Sequence, residues 1–296
     1  MKYIIKKTHE GLDIKAFLRL QGVSHSLLKD LKKREDGILV NGIHQNVLYK
    51  LKENDILELN IYDTEKEENE FLEPVDLPIE IIFEDENITV VNKPYGMPTH
   101  ESLNNRGNTL ANALAFRYRD KPYVFRSTNR LDKDTSGVVI TANNKMYSGI
   151  LSDKIKKGKI QKSYIAVVEG MLNGSGTIEA PIDRIEKSII KRVVREDGEY
   201  ALTEYEVLIS SEHYSVVLVT PKTGRTHQIR VHMAHIGHPL AGDTLYGGSD
   251  TEIERQALHC LKMNVEGIGE FYAPLPDDIN DLIRRYFGNE EFIPKN

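Results

Sequence analysis

From residue 78 onward, short apolar runs and alternating segments recur along the chain. "PIEIIFED", "NITVVNKP", "SGVVITA", "SYIAVVEG", "TEYEVLI" and "YSVVLVT" read as β-strands, because period-two alternation or runs of β-branched residues suit a sheet covered on one or both faces. Three other segments, "TLANALAFRYR", "NKMYSGILSDKIKK" and "THQIRVHMAHIG", space their apolar residues three and four apart and predict helices. The strands succeed one another through short polar or glycine connections without strict alternation with helices. That order predicts an α+β fold with a central, mostly antiparallel mixed sheet flanked by helices, rather than a doubly wound parallel one. "GSGTIEA" at 174–180 reads as a hairpin turn, and neither an internal repeat nor a glycine-rich phosphate loop is present.

The first 62 residues carry their own pattern. "GLDIKAFLRLQ" sets Leu12, Ala16 and Leu20 four apart, "SHSLLKDLKKR" predicts a second helix capped by Ser24 or Ser26, and "GILVNG" and "NDILELNI" predict strands. The exposed side of the second helix would show Lys29, Lys32, Lys33 and Arg34. Residues 63–76, "DTEKEENEFLEPVD", follow with seven acids against Lys66, too charged and too poor in apolar residues to pack. The expected organisation is a small α+β domain at 1–62, an acidic linker at 63–76 and a larger domain at 77–296. A length of 296 residues agrees with two domains.

Charge alone would argue against a polyanion partner, since the formal net charge is −6. The linker, however, holds a net charge of −6 by itself, so the remainder sums to zero. Within that remainder "DKIKKGKIQK" (153–162) has five lysines against one acid, and "RIEKSIIKRVVR" (184–195) has five basic residues against Glu186. Basic patches of this kind fit RNA as well as a solvated face. No run approaches the ~20 apolar residues of a membrane span. A single cysteine, Cys260, fits a reducing cytoplasm and no internal disulfide.

Two constellations carry candidate chemistry. In "RSTNRLDKDTSGVVI" (126–140), an extended "NRLDKD" would gather Arg130, Asp132 and Asp134 on one face, and the "TSG" turn would hold the acids at a strand edge. In "KTGRTHQIRVHMAHIGHPLAGDTLYGG" (222–248), helical spacing would align His227, Arg230 and Ala234. Its four histidines stand at spacings of five, three and three, unlike the i, i+4 pair of helical metal sites, so no metal is expected. A guanidinium at Arg230 aimed at a carboxylate would favour the charged form of that acid. Tyr164, in "QKSYIAVVEG", would share a strand face with Ala166 and Val168, either as core or as a flat platform for a base.

Together these segments resemble the RluA-type family of RNA pseudouridine synthases, from about residue 79 to 288. "RLDKDTSG" is similar to that family's catalytic signature, and "VNKPYGMPTH", "KSYIAVVEG", "GRTHQIRVH", "GHPLAGDTLYG" and "YAPLPDD" recur in its order. Residues in "DIKAFLRLQGVSHSLLKDLKKREDGILVNG" resemble the small RNA-binding domain shared with ribosomal protein S-four. The resemblance implies isomerisation of uridine within RNA, without cofactor or metal. By position it implies that Asp132 is the essential aspartate, Tyr164 the base-stacking tyrosine, Arg230 the partner of the aspartate, and Arg130 an aid to displacing the nucleotide. Further RNA contacts are expected from Lys29, Lys32, Lys33, Arg34, Lys162, Arg225 and His227. Asn129 departs from the family, which usually has histidine there. Large-subunit ribosomal RNA is expected ahead of transfer RNA, with a monomer assumed; a non-catalytic RNA-binding or ribosome-assembly protein is the alternative, and a hydrolase using Asp132 and Asp134, or a histidine-metal hydrolase, another.

Overall fold

The computed structural model describes residues 1–62, 72–102, 105–185 and 190–288. Residues 63–71 of the expected linker lie outside the described residues, as do 186–189 of the second basic patch.

The first part comprises β1 (Lys2–Ile4), α1 (Ile14–Leu20), α2 (His25–Leu31), β2 (Ile38–Val40), β3 (Ile43–His44) and β4 (Ile56–Leu59), with an antiparallel sheet in the order β1-β4-β2-β3. Asp13 caps α1 by accepting from the Ala16 N–H at 2.7 Å, and Ser24 caps α2 by accepting from Leu27 at 3.2 Å; each cap satisfies a backbone donor that the first helical turn leaves open. The β2–β3 hairpin turns at Asn41 and Gly42, both at positive φ, the pairing that a tight hairpin with right-twisted strands requires. Helix α2 stops at Leu31, so Lys29 rides on it while Lys32, Lys33 and Arg34 form the turn beyond. The expected longer basic helix is thus corrected: Arg34 stacks over Tyr62 at 4.2 Å and donates to the Asn60 carbonyl.

The second part comprises β5 (Glu80–Glu84), β6 (Ile88–Lys93), α3 (Leu110–Arg117), β7 (Ser136–Ala142), α4 (Lys145–Lys156), β8 (Ile160–Glu169), β9 (Ser175–Glu179), β10 (Ile182–Arg184), β11 (Arg192–Val194), β12 (Leu202–Ser210), β13 (Tyr214–Pro221), α5 (Gln228–His235), β14 (Leu258–Val265), β15 (Gly269–Tyr272) and α6 (Asp277–Phe287). Its sheet runs β5-β6-β7-β14-β8-β13-β12-β9, with β15 on β14. Among the described strands only β7 and β14 pair in parallel, which makes the sheet mixed and mostly antiparallel, as the strand order predicts. "GSGTIEA" is not a hairpin turn: it forms edge strand β9, paired with β12.

Alternation along β8 divides the interior. Tyr164, Ala166 and Val168 face the main core with Ile229 and Met233 of α5 and Leu110 and Leu114 of α3. Ile165 and Val167 face a second core closed by Ile279, Leu282 and Ile283 of α6. The sheet is therefore a layer between helices, each fully buried aliphatic side chain contributing ~1.5–3 kcal/mol. Helix α4 belongs to two interiors at once: Met146 is buried among α1 and α2 residues, and Leu151 in the main core. Tyr3 also reaches Met146, with its hydroxyl 3.7 Å from the sulfur. Residues 72–77 lie along α3, where Val75 donates to the Asn112 carbonyl and the Asn112 amide donates to Glu73.

At the start of β7, Gly137 has φ +112° and a Cβ there would stand 2.2 Å from the Cys260 carbonyl oxygen, so the parallel β7–β14 contact needs glycine. Beside it, His259 is buried between Ser136 (Nδ1 to Oγ, 2.9 Å) and the Ala273 carbonyl (Nε2, 3.0 Å). Burial pushes its pKa down to about 4, against the opposing pull of the Ala273 carbonyl. The unfolded chain, titrating near 6.5, then binds more protons between these values, so stability is full above pH 6.5 and falls as pH drops toward 4. The expected loss approaches roughly 3 kcal/mol at pH 4. Urea unfolding across pH 7.5 to 4 measures it, and His259→Asn should flatten that slope while lowering stability at pH 7.5.

Candidate active site

Asp132 does not stand in an extended strand. It opens a tight turn in which the Thr135 N–H donates to the Asp132 carbonyl at 3.1 Å, and Asp132 lines the adjoining groove while Asp134 does not. The expected pairing of the two carboxylates on one face is therefore corrected. Side chains from distant segments hold the turn. The Thr99 hydroxyl donates to the Leu131 carbonyl (2.9 Å) and accepts from its N–H (3.2 Å). Lys93, fully buried at the end of β6, donates to the carbonyls of Pro94, Met97 and Lys133; burial lowers its pKa to about 7, although Asp132 and Asp134 pull the other way. Arg255 donates to the Asp134 carbonyl at 2.9 Å while forming a two-pronged bridge to Asp278 of α6.

Asn129 serves the same end. Its buried amide donates to the Val138 carbonyl (3.0 Å) and accepts from the Ile140 N–H (3.1 Å), standing in for backbone along β7. Asn129→Ala strands both partners and is expected to lower stability by about 1–3 kcal/mol in urea unfolding. Asn129→His offers one donor and one acceptor from the same place and is expected to keep turnover within about tenfold.

The Asp132 carboxylate is 28% exposed and meets α5. Arg230 Nη1 donates to Oδ2 at 3.1 Å, and His227 Nε2 lies 3.7 Å from the same oxygen. Arg230 is itself clamped: Nε and Nη2 donate to Asp243 at 2.7 and 2.8 Å, and Tyr246 presents its ring 5.0 Å from the guanidinium carbon. Burial opposes the charge on Arg230, but Asp243 and then Asp132 outweigh it and raise its pKa. This fork-to-fork geometry fixes the guanidinium plane and leaves Nη1 directed at Asp132.

His227 is not part of the helix, as its spacing suggested; it stands at the N-cap of α5 at φ 57°, a left-handed conformation that histidine takes more readily than most residues other than glycine. Its Nδ1 is 2.9 Å from the Tyr246 hydroxyl, which accepts from the Arg192 N–H. That hydroxyl is then free to donate to Nδ1, placing the imidazole proton on Nε2, toward Asp132. Burial lowers the pKa of His227 against the pull of Asp132.

Asp132, His227 and Arg230 line a groove of roughly 1000 Å³. Tyr164 is on its wall as well as in the core; burial first, then Cys260 and Asp132, raise its pKa well above 10, so the phenol is protonated. Lys162 and Arg225 also line the groove. Burial lowers the Lys162 pKa, and Arg225 is engaged with the Tyr200 carbonyl and Glu199. Arg130 is exposed beside them, with no hydrogen bond or ion pair to a described residue. Lys29, Lys32, Lys33 and Arg34 lie outside the groove. Asp243, Tyr246, Lys93 and Arg255 had no assigned role in the sequence reading; Asp243 and Tyr246 lie inside the quoted "GHPLAGDTLYG", the one local signal for them.

The histidines do not converge. His232 spends both ring nitrogens on Thr203 and the Ala180 carbonyl, and His238 bonds the Glu169 carbonyl. Among the described residues no group of three or more His, Cys, Asp or Glu side chains is disposed to hold a metal, and no helix is long and apolar enough to cross a membrane.

Residues 87–235 match the family described as RNA pseudouridylate synthase. An uncharacterized RNA pseudouridine synthase of Bacillus subtilis, YjbO, is 38% identical over 281 residues, covering 92% of this chain and 99% of the relative. The ribosomal large subunit pseudouridine synthase D of Xanthomonas campestris is 38% identical over 71% of this chain and 70% of its own length; that of Escherichia coli O6:H1 is 36% identical over 75% and 74%. Among solved structures, human RNA Pseudouridylate Synthase Domain Containing 1 superposes with a TM-score of 0.57 at 28% identity, covering 67% of this chain and 84% of that one. The sheet, the ordered motifs and these similarities agree, and the chain belongs to the RNA pseudouridylate synthase family.

Proposed function

We propose that this RNA pseudouridine synthase isomerises uridines of large-subunit ribosomal RNA, with Asp132 as the residue that acts on the sugar. The observation that carries the assignment is the unequal use of the carboxylate: Oδ2 is engaged by Arg230 and faced by His227, and Oδ1 takes no hydrogen bond from a described residue. In the reaction the N1–C1′ bond breaks, uracil turns, a C5–C1′ bond forms, the C5 hydrogen leaves as a proton, and N1 gains one. Atoms balance without an oxidant, reductant, metal or cofactor. Positive charge develops on the sugar as the first bond breaks, and a carboxylate beside it stabilises that charge, by an adduct at C1′ or by taking a sugar proton. Tyr164 supplies an aromatic face for the extruded base, and Arg130 occupies the place it leaves, which offsets unstacking of a few kcal/mol. Ribosomal RNA is favoured by the relatives named for the large subunit.

Residues 1–62 act as an RNA-binding domain of the ribosomal protein S-four type, with Lys29, Lys32 and Lys33 exposed toward phosphate. The enzyme works in the cytoplasm, where ribosomal RNA is assembled and where a lone buried thiol, Cys260, stays reduced. Tritium release from RNA labelled at uracil C5 tests the reading, with ribosomal and transfer RNA transcripts side by side. Release from ribosomal transcripts supports it; release from transfer RNA alone reassigns the substrate; binding without release from any RNA supports an assembly protein instead.

A further inference from the structure

We infer that His100, buttressed by Phe125, is a stacking subsite for an RNA base adjacent to the target uridine. The inference rests on the synthase reading and adds a second base-recognition point to it. His100 is exposed on the groove wall, yet its ring is held twice: Nε2 is 2.9 Å from the Ser127 hydroxyl, and the ring meets Phe125 in a T-shaped contact with centroids 4.9 Å apart. Phe125 in turn packs against the main core, and Ser127 is bridged to Thr141 of β7. An exposed aromatic held in one orientation is prepared for a planar ligand, because little ordering remains to be done on binding.

Its place is fixed relative to the chemistry. The preceding residue, Thr99, clamps Leu131, the neighbour of Asp132, through both the carbonyl and the N–H. The clamp thus ties the segment that carries the ring to the turn that carries the Asp132 carboxylate. The groove has room for more than one nucleoside, since roughly 1000 Å³ is at the upper end of the ~300–1000 Å³ that encloses a whole drug-sized ligand. Burial and the nearby Arg130 lower the His100 pKa, so near neutral pH the ring is an uncharged π-face. Arg130, without a protein partner among the described residues, is left for phosphate or for the gap in the stack.

The test uses the full-length protein and an RNA oligonucleotide carrying the uridine mapped by tritium release, with intact or abasic nucleotides on either side. On intact RNA, His100→Ala and His100→Asn are expected to raise KM by about 5- to 140-fold, the range for loss of one base–aromatic stack, with kcat within about threefold. His100→Phe, which keeps a ring and loses the Ser127 bond, should stay within about threefold of wild type. An abasic nucleotide on one side should raise the wild-type KM similarly and have no added effect in His100→Ala. Multiplicative losses from the variant and the abasic site, an unchanged KM in His100→Ala, or a His100→Phe as impaired as His100→Ala would each overturn the subsite. Failure of wild type to turn over any RNA would instead overturn the reaction on which it rests.

Discussion

Asp132→Asn is expected to lower turnover by at least about a thousandfold while RNA affinity stays within about threefold. The substitution is nearly isosteric, and an amide oxygen can still accept from Arg230 Nη1 where Oδ2 does now, at 3.1 Å. What disappears is the negative charge and the nucleophilic or basic oxygen, the two properties that a developing positive sugar needs. Single-turnover tritium release, with binding measured by filter retention, separates the two effects. Asp134→Asn is the control. Its side chain does not line the groove, and its carbonyl, which the substitution keeps, is what Arg255 holds. It is expected to remain within about threefold of wild type. Loss of activity in Asp134→Asn with activity spared in Asp132→Asn would reverse the assignment.

Removing the clamp behind Arg230 should damage both stability and rate. Asp243→Ala leaves a guanidinium that is only 8% exposed without the carboxylate, itself 1% exposed, that neutralises it. Stranding one member of a buried ion pair costs about 3–5 kcal/mol, a large share of the ~5–15 kcal/mol that holds a domain together. The freed guanidinium also loses the two bonds that orient Nη1 toward Asp132, so turnover should fall by more than about tenfold where the variant is still folded. The double variant Arg230→Met with Asp243→Leu distinguishes the two consequences. An apolar pair removes the stranded charge and should recover much of the urea midpoint, while turnover remains low because Asp132 no longer has its partner. Recovery of both would mean that Arg230 contributes structure alone.

The strands were legible because period two is a local property: the apolar alternation of "SYIAVVEG" assigns Tyr164 and Ile165 to opposite faces, and they occupy different cores. The α3, α4 and α5 segments were legible for the same reason. The turn at Asp132 was not, because what holds it comes from Thr99, Lys93 and Arg255, which bond the flanking carbonyls of Leu131, Lys133 and Asp134 across 32 to 121 positions of sequence. Alternation describes a paired strand, and here side chains replace the pairing, so Asp134 leaves the face on which alternation would put it. The end of α2 was misread for a related reason: lysines tolerate a helix or a turn equally, and the chain must leave α2 to bring Gly37 and β2 under it, where Leu31 and Ile38 are both buried. Asp243 was hidden by chemistry rather than pattern. An acid after glycine reads as a turn residue until Arg230, on another element, is seen beside it.

The bridge from Asp278 through Arg255 to the Asp134 carbonyl ties the turn that carries Asp132 to α6, the final described element in chain order. During synthesis from the amino end, the turn leaves the ribosome well over a hundred residues ahead of the helix that steadies it, since Asp134 and Asp278 bound the interval. Until α6 docks, Arg255 lacks the Asp278 carboxylate that fixes its guanidinium, and the second core lacks Ile279, Leu282 and Ile283. The backbone around Asp132 is therefore completed only once α6 has docked, which couples the folding of one face of the sheet to that of the other.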